Sequence, residues 1–313
     1  MISLGIDTSN YTTSIALFDS SKGEYISRKI PLPVKKGEKG LRQSDAVFHH
    51  TVQLPELISE LFKDCNKKPD CIGVSVSPRD IKGSYMPCFL VGKSVAESIS
   101  SVFGIPMHSF SHQQGHIASV LYSTNNTELF NEKFIAFHVS GGTTEAVLVT
   151  PDSEKIIKTE QVFYSSDLNA GQVIDRVGLM LNLSFPCGPE LDKLSLKSDR
   201  HFNIRPAVRD NTFSFSGLEN KCKALIDSGE KNEDTAKFCI EYILYSLEKA
   251  VDYLTEKYGN LPVVFSGGVM SNTIIRNYFT EKYNGIFTTA EFSSDNALGI
   301  SVLSALKEKK NVG

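Results

Sequence analysis

Two histidines, His112 and His116, stand four residues apart inside Ser111-His112-Gln113-Gln114-Gly115-His116. On a helix, side chains four apart share one face, so both imidazoles project together and can share a metal ion. The same spacing also occurs in capped or core arrangements. A third ligand must come from elsewhere. Asp295, in Ser293-Ser294-Asp295-Asn296 just before a terminal helix, is the best-placed oxygen donor by element order. Two histidines and one carboxylate with open positions suit iron(II) or zinc.

Three small-residue turns follow apolar segments: Asp7-Thr8-Ser9, Ser140-Gly141-Gly142-Thr143-Thr144 and Ser266-Gly267-Gly268. Glycine at such turns lets backbone N–H groups approach phosphate oxygens with no Cβ in the way. Asp7 closes the first segment and is placed to orient a magnesium-bound water, which makes it the candidate catalytic residue. Plain β-turns are the alternative, and the recurrence in a repeated framework favours phosphate binding. His49 and His50 are adjacent, point apart on a helix, and read as surface residues. Asp175 and Arg176 read as a solvated charged face, and Asn272 as the N-cap of a following helix.

The elements that must position these residues follow from periodicity. Alternating apolar residues predict strands over 3–9, 12–19, 25–32, 71–76 and 105–110, with helices over 45–65 and 89–103 and another from about 111. After the polar loop 123–128 the opening pattern recurs, as strands over 134–140, 145–150 and 155–163. Helix 169–181 follows, and the remainder reads as helices 215–228, 233–258 and 296–309 with a strand at 263–265. The two openings, "LGIDTSNYTTSIALF" and "AFHVSGGTTEAVLV", are an apolar strand, a polar turn and a returning strand. This duplication predicts an α/β fold of two lobes with a nucleotide cleft between them. The expected lobes are 1–115 plus 296–313, and 116–295.

At 313 residues, two lobes are the default. Hydrophobic residues at 41% and charged residues at 22% are ordinary for a globular protein. No apolar run approaches a membrane span, the opening residues lack a secretory signal, and the reading is cytoplasmic. Lys plus Arg number 33 and Asp plus Glu 36, a net charge of −3. That argues against a dedicated nucleic-acid binder with a strongly basic face, while a local patch or a basic partner leaves RNA accessible. The six cysteines form no CxxC pair, so reduced and mostly buried thiols are expected.

Taken in order, these segments resemble the TsaD (Gcp, glycoprotease-like) family within the actin/Hsp70/sugar-kinase (ASKHA) fold. "LGIDTS" resembles its opening motif, "SHQQGH" its His-x-x-x-His motif and "VSGGTTEAVLV" its second phosphate loop. "NAGQVIDRVGLMLNLSFPCGP", "FSFSGLENK", "FSGGVMSN" and "SSDNALGI" follow in family order. The resemblance implies that His112, His116 and Asp295 bind one divalent metal. It places Val139, Ser140, Gly141, Gly142 and Thr143 along an adenylate phosphate, and Asp175, Gly188 and Asn272 at the nucleoside. The implied ligands are ATP or threonylcarbamoyl-AMP, with iron or zinc and magnesium as candidate ions. The implied reaction transfers a threonylcarbamoyl group to N6 of adenosine 37 in tRNA, beside small partner proteins of the tRNA-modification machinery and no membrane.

The sequence departs from the family where polar groups face the reaction. Asn10-Tyr11-Thr12-Thr13 replaces Cys-Asp-Glu-Thr, Thr143 replaces a histidine and Gln114 a glutamate. Ser77-Pro78-Arg79-Asp80 replaces a Gly-Pro-Gly loop, and Glu219 a lysine. These changes mark a divergent paralogue and leave two further readings open. One is a non-catalytic nucleotide- and metal-binding protein that scaffolds or regulates partners; the other is a carbamoyltransferase with a different acceptor.

Overall fold

Six of the seven residues of Ile2–Thr8 are buried, the signature of a strand covered on both faces. The computed structural model describes residues 1–9, 11–33, 41–65, 67–288 and 297–312. The first half holds β1 (Ile2–Thr8), β2 (Thr12–Asp19), β3 (Glu24–Pro31), α1 (Gln43–Asp64), β4 (Cys71–Ser77), α2 (Phe89–Phe103), β5 (Met107–Ser111) and α3 (His112–Ser123). It continues with β6 (Phe134–Val139), β7 (Thr144–Asp152), β8 (Ile156–Ser165), α4 (Ala170–Met180), α5 (Gly188–Ser195), β9 (Val208–Arg209) and β10 (Thr212–Phe213). The rest is α6 (Ser216–Asp227), α7 (Asn232–Tyr258), β11 (Val263–Ser266), α8 (Thr273–Tyr283), β12 (Ile286–Phe287) and α9 (Leu298–Val312).

The chain divides into two compact units. The first comprises Met1–Glu132, Thr150–Thr159 and α9, around a five-stranded sheet in the order β3-β2-β1-β4-β5. β1 pairs antiparallel with β2, from Ile2↔Asp19 to Thr8↔Thr13, and parallel with β4. Leu4, Ile6, Ile15, Leu17, Ile72 and Val74 form its core with Leu54, Leu57 and Leu61 of α1. α9 lies so close to the sheet that a Cβ on Gly5 would stand 2.4 Å from the Ala297 carbonyl oxygen. A Cβ on Gly299 would stand 1.8 Å from the Gly115 carbonyl oxygen, so α9 and α3 cross backbone to backbone. α3 therefore lies whole within the first unit, which runs to Glu132 rather than ending at residue 115.

The second unit holds Lys133–Val149 and the chain from Glu160 through β12, on a sheet ordered β12-β11-β6-β7-β8-β10-β9. β6 repeats the pairing of β1, antiparallel with β7 and parallel with β11. Phe137, Val139, Phe163, Phe213 and Phe265 pack on one face of this sheet against α4, α6 and the 27-residue α7. All six cysteines are free, five of them buried and Cys65 partly so. Among the described residues no helix is long and apolar enough to cross a membrane.

Candidate functional site

In the first unit, three expected site residues meet. The Ser111 side chain accepts the Gln114 N–H and Gln114 Oε1 accepts the Ser111 N–H, a capping box that starts α3 at His112. Gln114 is fully buried, and its amide also donates to the Ile157 carbonyl at 2.6 Å. A carboxylate has no N–H to give there, which accounts for glutamine at this position.

The capped start aims His112 back at β1. Asp7, 1% exposed, accepts the Ser75 hydroxyl on one oxygen and His112 Nδ1 on the other at 2.8 Å. An ionised carboxylate only accepts, so Nδ1 carries the proton and Nε2 the lone pair. That Nε2 lies 2.9 Å from His116 Nε2, one turn further along α3. Two imidazole nitrogens at this separation can each reach a common ion at about 2.1 Å. Both oxygens of Asp7 thus act on protein groups, which makes it a positioning residue behind His112. Asp295 lies outside the described residues, as does Asn10. Among the described residues no group of three His, Cys, Asp or Glu side chains converges on one point.

His50 corrects the expectation of a surface residue. Its ring is fully buried, with Nδ1 2.7 Å from Thr13 Oγ1 and Nε2 2.8 Å from the Ser9 carbonyl. Burial holds its pKa below that of a free histidine. The buried positions of α1, Ala46, His50, Leu54, Leu57 and Leu61, recur every three or four residues, so helical phase alone assigns His50 to the inner face.

In the second unit, Val139, Ser140, Gly141, Gly142 and Thr143 form the tight connection from β6 to β7. The Ser140 N–H donates to the Thr143 carbonyl at 2.7 Å, and the Thr143 N–H to Ser140 Oγ at 3.1 Å. The N-terminus of α4 abuts this turn: the Gly171 N–H donates to the Ser140 carbonyl and the Ala170 N–H to Thr144 Oγ1. A Cβ on Gly171 would lie 2.5 Å from the Gly141 nitrogen, so only glycine lets helix and turn approach this closely. On the other side, Cβ atoms added to Gly141 or Gly142 would meet nothing within 4 Å among the described residues. The turn is clamped from behind and open above. Gly267, with φ +94°, brings the third turn under the Val139 backbone in the same way.

Asp175, Gly188 and Asn272 gather around α5. Asp175 is half-buried and accepts the Cys187 N–H at 2.9 Å, just before Gly188 opens the helix. Asn272 caps α8 by accepting the Ile275 N–H, and its amide donates to Asp192 of α5 at 2.8 Å. Asp192 also accepts the Thr273 N–H and hydroxyl. No local pattern announces Asp192, because its partners lie about eighty residues away. Arg176 pairs with Glu219 at 2.8 Å, so the acidic residue on α6 has a complementary partner on α4.

A family model described as TsaD, tRNA N6-adenosine threonylcarbamoyltransferase, matches residues 32–302. The tRNA N6-adenosine threonylcarbamoyltransferase of Thermosipho africanus (strain TCF52B) is 30% identical, covering 100% of this chain and 96% of that protein. The protein of that name from Buchnera aphidicola subsp. Schizaphis graminum (strain Sg) is 28% identical, covering 98% and 93%. Among solved structures, T. kodakarensis HypF superposes with TM-score 0.61 at 13% identity, over 99% of this chain and 47% of that one. The ROK hexokinase of Thermus thermophilus superposes with TM-score 0.55 at 13% identity, over 99% of both chains. At these identities the structural matches carry the fold alone, and that fold is the duplicated actin-like ATPase α/β fold.

Proposed function

Since the chain belongs to the TsaD family of tRNA N6-adenosine threonylcarbamoyltransferases, a family of transferases, we propose that it moves a threonylcarbamoyl group from an adenylate to N6 of adenosine 37 in tRNA. The observation that carries the nucleotide part is the Ser140–Thr143 turn, clamped from behind by α4 and open above both glycines. Backbone N–H groups beside a helix N-terminus favour a phosphate at that place. Asp175 and Gly188 would flank the nucleoside at the start of α5, and Asn272 would support it from α8.

The pair His112–His116 fits a divalent ion, iron or zinc, because Asp7 fixes the His112 tautomer that offers Nε2 as a ligand. Asp295 would complete the set. Held there, the ion supplies Lewis-acid stabilisation of negative charge developing on a phosphate or carbonyl oxygen. The setting of this proposal is the cytoplasm, with tRNA as acceptor and small proteins of the tRNA-modification machinery as partners.

Gly142→Val tests the nucleotide placement cleanly. Among the described residues nothing stands within 4 Å of the new Cβ, so folding is expected to be unchanged. The branched side chain does fill the space a phosphate would use, and calorimetry should show adenine-nucleotide affinity falling by at least about tenfold. Equal affinity would move the nucleotide elsewhere.

A second reading, a non-catalytic or retargeted paralogue, is favoured by one observation: Asn10-Tyr11 carries no carboxylate where the family motif has one. A positioned general base contributes about 10²–10⁴-fold in rate. The gene is therefore expected not to rescue a strain lacking its own family member, while purified protein still binds ion and nucleotide. Transfer of labelled threonylcarbamoyl to tRNA decides between the readings. No transfer, with or without partner proteins, replaces the first by the second, and full rescue removes the second.

A further inference from the structure

Between α4 and α5 the chain makes a short loop whose two ends are pinned to α4. The Leu183 N–H donates to the Gly178 carbonyl at 2.9 Å, and the Cys187 N–H to Asp175 at 2.9 Å. Cys187 is fully buried and packs on Gly178, where an added Cβ would stand 2.3 Å from the Cys187 Cβ. Ser184, Phe185 and Pro186 lie between these anchors, and proline fixes one further backbone angle. This pinned loop turns Phe185 outward, 73% exposed, more than any other described phenylalanine. A phenyl ring gains by burial, and the core of the same unit takes in Phe163, Phe213 and Phe265. Single exposed apolar side chains are ordinary on a surface. This one differs in being held by fixed backbone and in standing three residues before Gly188, beside the positions assigned above to the nucleoside. Beyond it Lys193, in the last turn of α5, and Lys197, just past its end, are both exposed, with Glu190 exposed in the first turn.

Sites for small molecules enclose most of their ligand, and a ring this open does not enclose one. It suits a base presented by a single strand, which stacks on an aromatic face while cations hold its phosphates. We propose that Phe185 is the platform on which an unpaired base of the RNA acceptor stacks, with Lys193 and Lys197 on the neighbouring phosphates. The inference rests on the transferase reading above and names the surface that meets the acceptor. Every base has a π face, so the platform selects unpaired over paired RNA and leaves base identity to other contacts.

The chain contains no tryptophan, so Phe185→Trp places a single fluorophore at the platform. A hairpin RNA with an unpaired loop is expected to quench it, while a fully paired duplex of equal length and ATP alone are not. Quenching by ATP alone would put the donor's base on the ring, and that overturns the proposal. So does the absence of quenching by the hairpin, or equal quenching by the duplex. Phe185→Ala should weaken hairpin binding roughly 5–150-fold, the range for one lost stack. Its ATP affinity and melting temperature should stay unchanged, because the ring is exposed. Hairpin affinity within about twofold of the wild type overturns the platform. Lys193→Ala should flatten the slope of log affinity against log salt by about 0.7, the value for one phosphate of a single strand. An unchanged slope overturns that phosphate contact. A wild-type protein that binds the hairpin but transfers nothing to tRNA removes the transferase reading, while quenching at position 185 still supports the platform.

Discussion

Replacing Gly299 with alanine is expected to destabilise the protein by about 3 kcal/mol, the upper end for overpacking a close contact. The added methyl would stand 1.8 Å from the Gly115 carbonyl oxygen and 2.7 Å from the Ser119 nitrogen, and both are backbone atoms. Neither can rotate away as a side chain could, so α3 and α9 must move apart, and the contacts on both sides loosen. A fall in melting temperature of about 5 °C is the expected reading for a chain of this size. Gly268→Ala is the control, because a Cβ there meets nothing within 4 Å among the described residues. A melting temperature for Gly299→Ala equal to that of the control would show that the two helices do not cross at these glycines.

The second large effect is expected at Asp7. Asp7→Asn preserves shape but removes the charge behind His112 and replaces one accepting oxygen by an N–H₂ group. Either that group faces the His112 N–H, breaking the bond, or it faces Ser75 and His112 keeps only a neutral acceptor. Groups that orient metal-bound histidines cost about 10–100-fold in ion affinity when replaced. Titration against a chelator of known affinity should show iron or zinc bound that much more weakly. Undiminished affinity would mean that Asp7 does not orient the ion's ligand.

Much of this architecture can be read from local periodicity. The strand–turn–strand openings, α1, α2, α4, α6 and α7 each bury a regular face, and regular faces leave a pattern in the sequence. α5 does not. Its eight residues bury only Leu191 and Ser195, and its work is done by Asp192, which holds the start of α8. The helical spacing of His112 and His116 was legible because both lie on one element. The reason His112 offers Nε2 was not, since Asp7 and Ser75 reach it from 105 residues before it and, through Asp7, across 68 residues. His50 is the reverse case: it adjoins His49, yet the helical phase of α1 places it among the buried positions.

That buried ring also makes the protein a proton sensor in its folding equilibrium. His50 is held neutral between Thr13 and the Ser9 carbonyl, and burial depresses its pKa below the unfolded value of 6.5. Above that pH both states leave the ring uncharged and it contributes nothing to the pH dependence. Below it the unfolded chain takes up a proton that the native protein refuses, so stability falls as the pH drops from 6.5 toward the depressed native value. The limiting slope is that of one proton, about 1.4 kcal/mol per pH unit. Denaturation between pH 7 and pH 5 should show this loss in the wild type and a flatter profile in His50→Gln, which titrates no proton. The fields of Asp7 and His49 act on the ring with opposite signs, the first easing protonation and the second opposing it. The ring links the Ser9 carbonyl, just past β1, to Thr13 of β2, so the group that titrates is one that joins two neighbouring strands of the sheet.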